Sequence, residues 1–303
     1  EECQEKYKTL QIPGKLDSLL EETENTLQIQ RIRMIRELKV NQGELEQEIL
    51  RVSDQLPNFI SKYQDLEMTV DAVDQVNEMQ QQFMALKEKQ DIYINQEKLF
   101  EFEPASSKNL SKLLEEFAPI HMLWNLAGDW FSMSTMWLDT PFPQVKYEVM
   151  NSFILSSSKK ITRLKKDLMK HKDLMEKVLF PLQEQIDKFK QPLPIVAKLR
   201  HPGIKTKHWE KISEVVGFTV MPSMELTLQN FLDLHLERWN DEISQIAAIA
   251  AQEYNIESQL DQMDAELQTK LFTTAEFRDS GQYIIMDVDD IISLVDDQLV
   301  TTQ

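Results

Sequence analysis

The stretch ITRLKKDLMKHKDLMEKVLFPLQEQIDKF, residues 161–189, carries the pattern that decides the fold. Its apolar residues recur at steps of three, four and seven. They are Ile161, Leu164, Leu168, Met175, Leu179, Leu182, Ile186 and Phe189. This heptad-like spacing puts the apolar side chains on one face of a helix and is typical of helices that pack against other helices. Pro181 should bend the helix, because proline removes one backbone hydrogen bond.

Similar helical spacing of apolar residues extends over most of the chain. The ranges with this spacing are 15–56, 59–100, 109–138 and 226–270. The pair Pro13-Gly14 marks the expected start of the first helix, and Pro57 predicts a kink or a break after it. Because only 6 Gly and 11 Pro occur in 303 residues, we expect long helices with few interruptions.

One segment near the C-terminus has a different pattern. Residues 271–277 and 282–286 are rich in Phe, Thr, Tyr and Ile, and the turn-forming residues 279–281 separate them. This arrangement predicts a β-hairpin, which should lie against the helices because a lone hairpin is marginally stable in water. A last helix should start near 287–290. The predicted fold class is mainly α, an elongated array of long packed helices with one small β-hairpin at about 271–286.

The distribution of charge restricts the class of partner. The net charge is −18, divided as −12 over residues 1–143, +9 over 144–211 and −15 over 212–303. A cationic middle can attract the anionic flanks of its own chain or dock an acidic partner. A chain this acidic repels phosphates, which argues against a nucleic-acid partner. The longest apolar run, 246–251, is far shorter than the ~20 residues that span a bilayer, so no membrane partner is expected.

The two ends and the cysteine content indicate the compartment. Cys3 is the only cysteine, and no secretory signal opens the chain, so a reducing, cytosolic compartment is expected. The chain also begins without Met and stops without an obvious end signal. We therefore expect it to be a piece of a larger protein.

Motifs for catalysis, cofactors and metals are sparse. No GxxxxGK[ST], GxGxxG, HExxH or GxSxG pattern occurs, so no catalytic, cofactor-binding or metal-ligating residue is predicted. His201 and His208 lie seven positions apart across a Pro-Gly turn, and a metal pair there is a minor alternative. The carboxylate pairs at 289–290 and 296–297 point in different directions on a helix, which favours a solvated acidic face.

Two further clusters have a structural and a functional interpretation. A basic run in the middle of the chain consists of Lys159, Lys160, Arg163, Lys165, Lys166, Lys170 and Lys172. Cationic amphipathic helices bind calmodulin, acidic membranes or nucleic acid, but the run lacks interleaved surface aromatics, so a solvated or internally paired face is favoured. The helix at 109–138 carries aromatic residues that we expect in the core and not in a ligand-stacking box. They are Phe117, Trp124, Trp130, Phe131 and Trp137.

Three ordered motifs resemble the linker region of dynein heavy chains. The first is LPIVAKLRHPGIKTKHWEKI at 193–212, the second is AAIAAQEYNIESQLDQM at 247–263, and the third is FRDSGQYIIMDVDDIISLVDDQLVTTQ at 277–303. An upstream segment around Trp124 is similar to the start of the same region. The structural positions that carry the resemblance are Trp124, Leu199, Arg200, Pro202, Gly203, His208, Trp209, Glu253, Ile256, Glu257, Gly281, Asp296 and Asp297.

The resemblance implies two domains and a mechanical function. Residues 95–303 resemble the N-terminal part of the linker, and residues 1–94 resemble the end of the helical tail that leads into it. The third motif is closer to axonemal than to cytoplasmic heavy chains, which implies a location in the cytoskeleton of a cilium or flagellum. The linker is a lever across a ring of six AAA+ modules, and its docking changes with ATP binding and hydrolysis to drive movement along microtubules.

The implied partners and cofactors belong to the parent motor. The partners are its own AAA+ ring, dynein intermediate and light chains, and microtubules. ATP and Mg would bind elsewhere in the parent chain, so this fragment should not itself be an enzyme. The main alternative is a coiled-coil or spectrin-like scaffold that joins protein partners, although no tandem repeat of fixed period is present. A calmodulin- or membrane-binding segment at 159–172 comes next, and an enzyme using His201, His208 or the aspartate pairs comes last.

Overall fold

The computed structural model describes residues 2–103, 108–278, 281–286 and 288–302, with side chains from residue 13 onward except at 108. The described chain is mainly helical with a small antiparallel hairpin near its C-terminus, which confirms the predicted fold class. The helices are α1 (Glu2–Lys62), α2 (Thr69–Leu99), α3 (Lys108–Asp139), α4 (Tyr147–Asp167), α5 (Lys172–Leu174), α6 (Phe180–Lys190), α7 (Leu193–Leu199), α8 (Thr206–Val216), α9 (Leu228–Leu232), α10 (Asn240–Gln268) and α11 (Asp289–Thr302).

The chain divides into two compact units. Unit 1 comprises residues 1–133 and 155–186, and unit 2 comprises residues 134–154 and 187–303. The expected boundary between 94 and 95 falls within α2 and stays a prediction. Residues 104–107, between the helical ranges 59–100 and 109–138, lie outside the described residues.

The first helix is longer than its prolines predict. α1 continues through both Pro13 and Pro57, so the predicted start at 13–14 is wrong, and Pro57 does not break the helix. A proline inside a helix removes one hydrogen bond and costs about 3 kcal/mol. At Pro57 the neighbouring side chains of Leu56 and Phe59 are both only 4% exposed. Burial of these two side chains offsets the lost hydrogen bond.

The core of unit 1 is aromatic. The ring of Phe83 on α2 meets that of Phe117 on α3 edge-on, with centroids 4.6 Å apart. Trp124 is fully buried, and its ring centroid lies 6.3 Å from those of Phe59 on α1 and of Tyr63, which follows α1 directly. The expected packing role of the aromatic residues on α3 is confirmed for the buried members. They are Phe117, Trp124, Trp130 and Trp137, of which Trp137 belongs to unit 2.

The heptad stretch at 161–189 buries its apolar face but is not one bent helix. α4 ends at Asp167, and a π-helical turn at Met175–Leu179 connects the short α5 to α6. The π turn ends two residues before Pro181, where the chain has no N–H to continue the α-helical ladder. The backbone therefore changes its hydrogen-bond pattern upstream of the proline, and the predicted single helix is wrong. The apolar stripe itself is confirmed, since Leu164, Leu182 and Ile186 are fully buried.

The last long helix is shorter than predicted. The spacing predicted a helix over 226–270, but α10 covers Asn240–Gln268 and is preceded by α9 and a 3-10 turn at Leu236–Trp239. Two backbone hydrogen bonds join residues 226–228 to residues 140–142, which follow α3. Phe142 N–H donates to the Leu226 carbonyl at 2.7 Å, and Leu228 N–H donates to the Thr140 carbonyl at 2.9 Å. These long-range bonds hold residues 226–228 in place, and His235, with a left-handed backbone (φ 49°), lies between α9 and the 3-10 turn that precedes α10.

The hairpin is present but does not pack as expected. Strand β1 (Thr273–Glu276) pairs antiparallel with β2 (Tyr283–Met286), with Thr273 opposite Met286. Every residue of both strands is exposed, so the prediction that the hairpin lies against helices is wrong for the described residues. Its expected turn residues 279 and 280, and residue 287, lie outside the described part. α11 begins with Asp289 and Asp290 in its first turn, where carboxylates are favourable.

Replacing Phe83 by alanine should lower the free energy of unfolding by about 3–5 kcal/mol, because it removes a fully buried ring and its partner contact with Phe117. Chemical denaturation measures the change. The neighbouring Met84 on the same helix is 44% exposed, so Met84→Ala serves as the matched control and should cost under about 1 kcal/mol. Similar losses for both variants would contradict the described core.

Candidate functional site

The first two motifs of the sequence meet in unit 2. The turn between α7 and α8 and the first turn of α8 lie against the middle of α10. We call this contact the α8–α10 clamp, and it is formed by Gly203, Lys205, Lys207 and His208 on one side and Ala250, Glu253, Tyr254 and Glu257 on the other. Both motifs carry the family resemblance in the sequence, and the structure shows that they contact each other.

Gly203 brings the two backbones together. A Cβ added at this position would lie 2.5 Å from the Ala250 carbonyl oxygen and 2.7 Å from the Tyr254 Cβ. Atoms cannot approach this closely, so only glycine fits without a shift of the backbone. The turn is fixed from its other side by His201, whose Nδ1 accepts a hydrogen bond from the Gly203 N–H at 3.1 Å. The His201 ring also meets the Tyr254 ring edge-on, with centroids 5.5 Å apart.

His208 connects the start of α8 to α10. Its side chain is buried, and its Nδ1 accepts a hydrogen bond from the backbone N–H of Lys205, the residue that caps α8, at 3.0 Å. Since an amide N–H can only donate, Nδ1 carries no proton, and the neutral ring holds its proton on Nε2. Nε2 lies 3.1 Å from Oε2 of Glu253 and donates to it. One neutral imidazole therefore accepts a hydrogen bond from the N-terminus of α8 and donates one to α10.

Two lysines complete the clamp. The ammonium of Lys207 lies 2.7 Å from Oε2 of Glu253, and that of Lys205 lies 2.5 Å from Oε1 of Glu257. The hydrogen bond from Lys207 lowers the pKa of Glu253 below its ordinary value of 4.5, and His208 adds to this effect. Both ion pairs are about half exposed, and exposed pairs of this kind contribute about 0–1 kcal/mol each. They therefore add little to the stability of the contact, and their main effect is to fix which residues of α8 and its preceding turn lie opposite which residues of α10.

An aromatic cluster around Trp209 of α8 lies next to the clamp. Trp209 is 3% exposed and meets the Phe142 ring at 90°, with centroids 5.9 Å apart. Phe142 in turn stacks on Phe231 of α9 at 4.1 Å. Arg200 donates from Nε to the Val145 carbonyl at 3.1 Å. These contacts hold α7 and α8 on the residues that follow α3.

The remaining motif positions lie elsewhere. Leu199 is buried at the end of α7, and Trp124 belongs to the core of unit 1. Ile256 is 58% exposed on α10 and takes no part in the clamp. Pro202 is exposed in the turn beside Gly203, Gly281 has a left-handed backbone (φ 67°) before β2, and Asp296 and Asp297 are exposed on α11. What these positions do in the family stays a prediction.

Sequence reasoning missed several contributors to the clamp. Lys205 and Lys207 were not singled out, nor were Phe142, Phe231 and Tyr254. A signal for the lysines was present, because the cationic block at 144–211 and the anionic block at 212–303 were expected to attract each other. The two ion pairs are local cases of this attraction. Nothing in the spacing indicates the aromatic partners, since they are far apart in the chain.

The alternative sites receive no support from the geometry. Both His201 and His208 use Nδ1 as an acceptor for a backbone N–H, which leaves no ready pair of ring nitrogens for a metal. Within the described residues, no group of three or more His, Cys, Asp or Glu side chains is placed to hold a metal ion. No described helix is at once long and apolar enough to cross a membrane.

The basic run on α4 and beyond forms a largely exposed face. Arg163 lies 3.4 Å from Asp167, and Lys170 lies 3.9 Å from Glu116 of α3. Lys165 lies over the Phe180 ring at 5.8 Å. Part of the run is thus internally paired, as expected, and the rest faces solvent.

Comparison with known proteins gives a family match over most of the chain. The sequence model described as "Dynein heavy chain, N-terminal region 2" matches residues 110–303, which include the whole clamp. The chain is 28% identical over 287 residues to dynein axonemal heavy chain 1 of Rattus norvegicus, covering 90% of this chain and 6% of that protein.

Two other axonemal heavy chains show similar likeness. Dynein axonemal heavy chain 3 of Homo sapiens is 28% identical over 236 residues, covering 76% of this chain and 6% of its own length. Dynein axonemal heavy chain 12 of Homo sapiens is 25% identical over 299 residues, covering 96% of this chain and 10% of its own length. The chain thus spans a tenth or less of these relatives.

Replacing Gly203 by alanine should destabilise the chain by about 1–3 kcal/mol, because the new Cβ overlaps the backbone of α10. Gly43→Ala is the matched control: a Cβ there meets nothing within 4 Å, and alanine favours an exposed helix by up to ~1 kcal/mol. Thermal unfolding should therefore show a fall in Tm for the first variant and a small rise for the second. A neutral Gly203→Ala would contradict the close approach.

The lowered pKa of Glu253 predicts a pH dependence of stability. Its carboxylate binds protons less readily in the folded state, so its contribution is fully present above the unfolded value near 4.5 and is lost as pH falls through the lower folded pKa. Glu253→Gln should cost stability at neutral pH and progressively less on acidification.

Urea titrations of wild type and variant across this pH range measure the difference. Asp261→Asn, on an exposed position of the same helix, is the control and should shift stability little at any pH. A Glu253→Gln penalty that stays constant down to acid pH would show that the carboxylate is not held by Lys207 and His208.

Proposed function

Since the chain belongs to the dynein heavy chain family, we propose that it forms the first part of the linker, the mechanical lever of a dynein motor. In this proposal residues 95–303 are the beginning of the lever and residues 1–94 are the end of the helical tail that leads into it. The lever changes its docking on an AAA+ ring during the ATP cycle. The likeness to axonemal heavy chains supports a motor that works in the axoneme.

The α8–α10 clamp is the observation that carries the proposal. A lever transmits force only if its rods do not slide or bend relative to each other. α10 is 29 residues long, which corresponds to a rod of about 43 Å, and the clamp holds its middle by backbone contact at Gly203 and by the buried His208. Close-packed contacts of this kind resist deformation better than solvated ion pairs do.

Catalysis and partners are assigned to the parent motor. We propose that the parent chain hydrolyses ATP with Mg²⁺ on its ring and that microtubules and dynein light and intermediate chains are partners of the complex. This segment would contribute stiffness and docking surface only. The scaffold alternative requires no ring, and coupling between ATP turnover and movement therefore distinguishes the two functions.

Two glycines inserted after Gln259 of α10 should uncouple the lever in a full-length heavy chain. Each glycine in a helix interior costs about 1 kcal/mol and adds a flexible joint beyond the clamp. Gliding velocity of microtubules should fall to roughly half or less, whereas ATP turnover should stay near wild type, because the ring is untouched.

The same two glycines inserted after Pro222 provide the control. This position lies in an exposed loop between α8 and α9, where extra length is tolerated. The control should glide and hydrolyse ATP as wild type does. If insertion in α10 lowered gliding and ATP turnover in parallel, or lowered neither, the lever function would be wrong.

A further inference from the structure

A dense concentration of positive charge lies on α4 and the turn that follows it, within unit 1. Residues 155–172 carry seven basic side chains and one acidic side chain, a net of +6 in a chain of −18. Four of the cations follow each other at steps of four, three and four residues, and such steps place side chains on one side of a helix. We call these four the basic row, and they are Lys159, Arg163, Lys166 and Lys170.

The opposite face of α4 is already used in the core of unit 1. Ile161 is 3% exposed, and Leu164 and Leu168 are fully buried. Calmodulin and lipid surfaces both take up the apolar face of an amphipathic helix. Because this face is packed inside the protein, α4 can offer a partner only its charged side.

The surroundings of the basic row also disfavour a nucleic acid. Bases bind to such surfaces by stacking on open aromatic rings. Phe180 is 43% exposed, but the ammonium of Lys165 lies over its ring at 5.8 Å. A long polyphosphate would extend beyond the basic row and meet the acidic remainder of the chain, which repels it. A short acidic polypeptide avoids this repulsion, because its carboxylates can be confined to the basic row.

The chain itself supplies few carboxylates to the basic row. Arg163 lies 3.4 Å from Asp167 and Lys170 lies 3.9 Å from Glu116, and both cations are more than two-thirds exposed, so water screens these pairs. Lys159 and Lys166 are exposed, and neither has an ion-pair partner in the part of the chain that the structure describes. Like charges three or four residues apart repel each other on a helix. A second set of carboxylates would relieve this repulsion.

We propose that the basic row is a docking site for an acidic helix of another polypeptide. A helix that lies along α4 and carries Asp or Glu at steps of three and four residues presents one carboxylate to each cation of the row. From Lys159 to Lys166 the row extends about 10 Å along α4, at 1.5 Å per residue. The contact is short and exposed, so it is weak and depends on salt. This docking site goes beyond the lever function, which does not require it.

Fluorescence anisotropy of two labelled peptides with the 303-residue chain tests the geometry. The matched peptide is an alanine-based helix with four glutamates at steps of four, three and four. The scattered peptide has the same composition, but its glutamates lie on different sides of the helix. The matched peptide should bind at least about threefold more tightly. Its affinity should fall as salt rises from about 0.01 M to 0.1 M, because the screening length falls from ~30 Å to ~10 Å.

Three double variants locate the site. Lys159→Gln with Lys166→Gln removes the two unpaired cations and should weaken binding of the matched peptide about three- to tenfold. Lys159→Arg with Lys166→Arg keeps both charges and should bind as the wild type does. The matched control is Lys39→Gln with Lys87→Gln, which makes the same change of charge at exposed positions of α1 and α2 and should leave the affinity unchanged. All these positions are exposed, and an unaltered Tm verifies that each variant is folded.

Several outcomes would overturn the proposal. They are no binding of the matched peptide at about 0.01 M salt, equal affinity for the two peptides, and equal losses in the two glutamine variants. A fourth is tighter binding of oligothymidine or of phosphatidylserine vesicles through Lys159 and Lys166, which would make the partner a nucleic acid or a membrane. Because the readout is binding by the chain itself and not the coupling of ATP turnover to movement, failure here leaves the proposed lever function untouched.

Discussion

The close approach of the turn at Gly203 to α10 is the constraint on which unit 2 depends. It places the first turn of α8 within reach of Glu253 and Glu257, and it lets His208 bond both its own helix cap and α10. If the two backbones were an ångström further apart, the imidazole would lose one of its two partners. A buried polar ring that loses a partner costs about 1–3 kcal/mol, so the distance and the hydrogen bonds support each other.

The two units bury their helices by different means. In unit 1, long helices pair lengthwise through stripes of apolar residues, and aromatic rings such as Phe83 and Phe117 fill the space between them. In unit 2, short helices and turns are fixed on a single rod by a buried histidine, a glycine contact and the stacked rings of Phe142 and Phe231. The second mode fixes one register, because each contact fits a single position.

The sequence predicted those features that depend on local periodicity. The stripe at 161–189, the helix at 109–138 and the two hairpin strands follow directly from spacing and β-propensity. The predictions at Pro13 and Pro57 were both wrong; at Pro57 the cost of a missing hydrogen bond was weighed without the burial of Leu56 and Phe59. The shorter α10 could not be predicted, since the backbone bonds that join Thr140 and Phe142 to the 226–228 segment are long-range. Resemblance selected Gly203 and His208, but only the structure gives the physical reason for each.

The geometry at Gly203 also has a genetic consequence. Any nucleotide change that alters the amino acid at this codon adds at least a Cβ, and the space for that carbon is already taken by the Ala250 carbonyl and Tyr254. The position therefore has no conservative alternative, unlike Lys205 or Lys207, where arginine would keep the charge. Missense variants at this single codon should therefore lower the amount of folded protein, whatever residue they introduce.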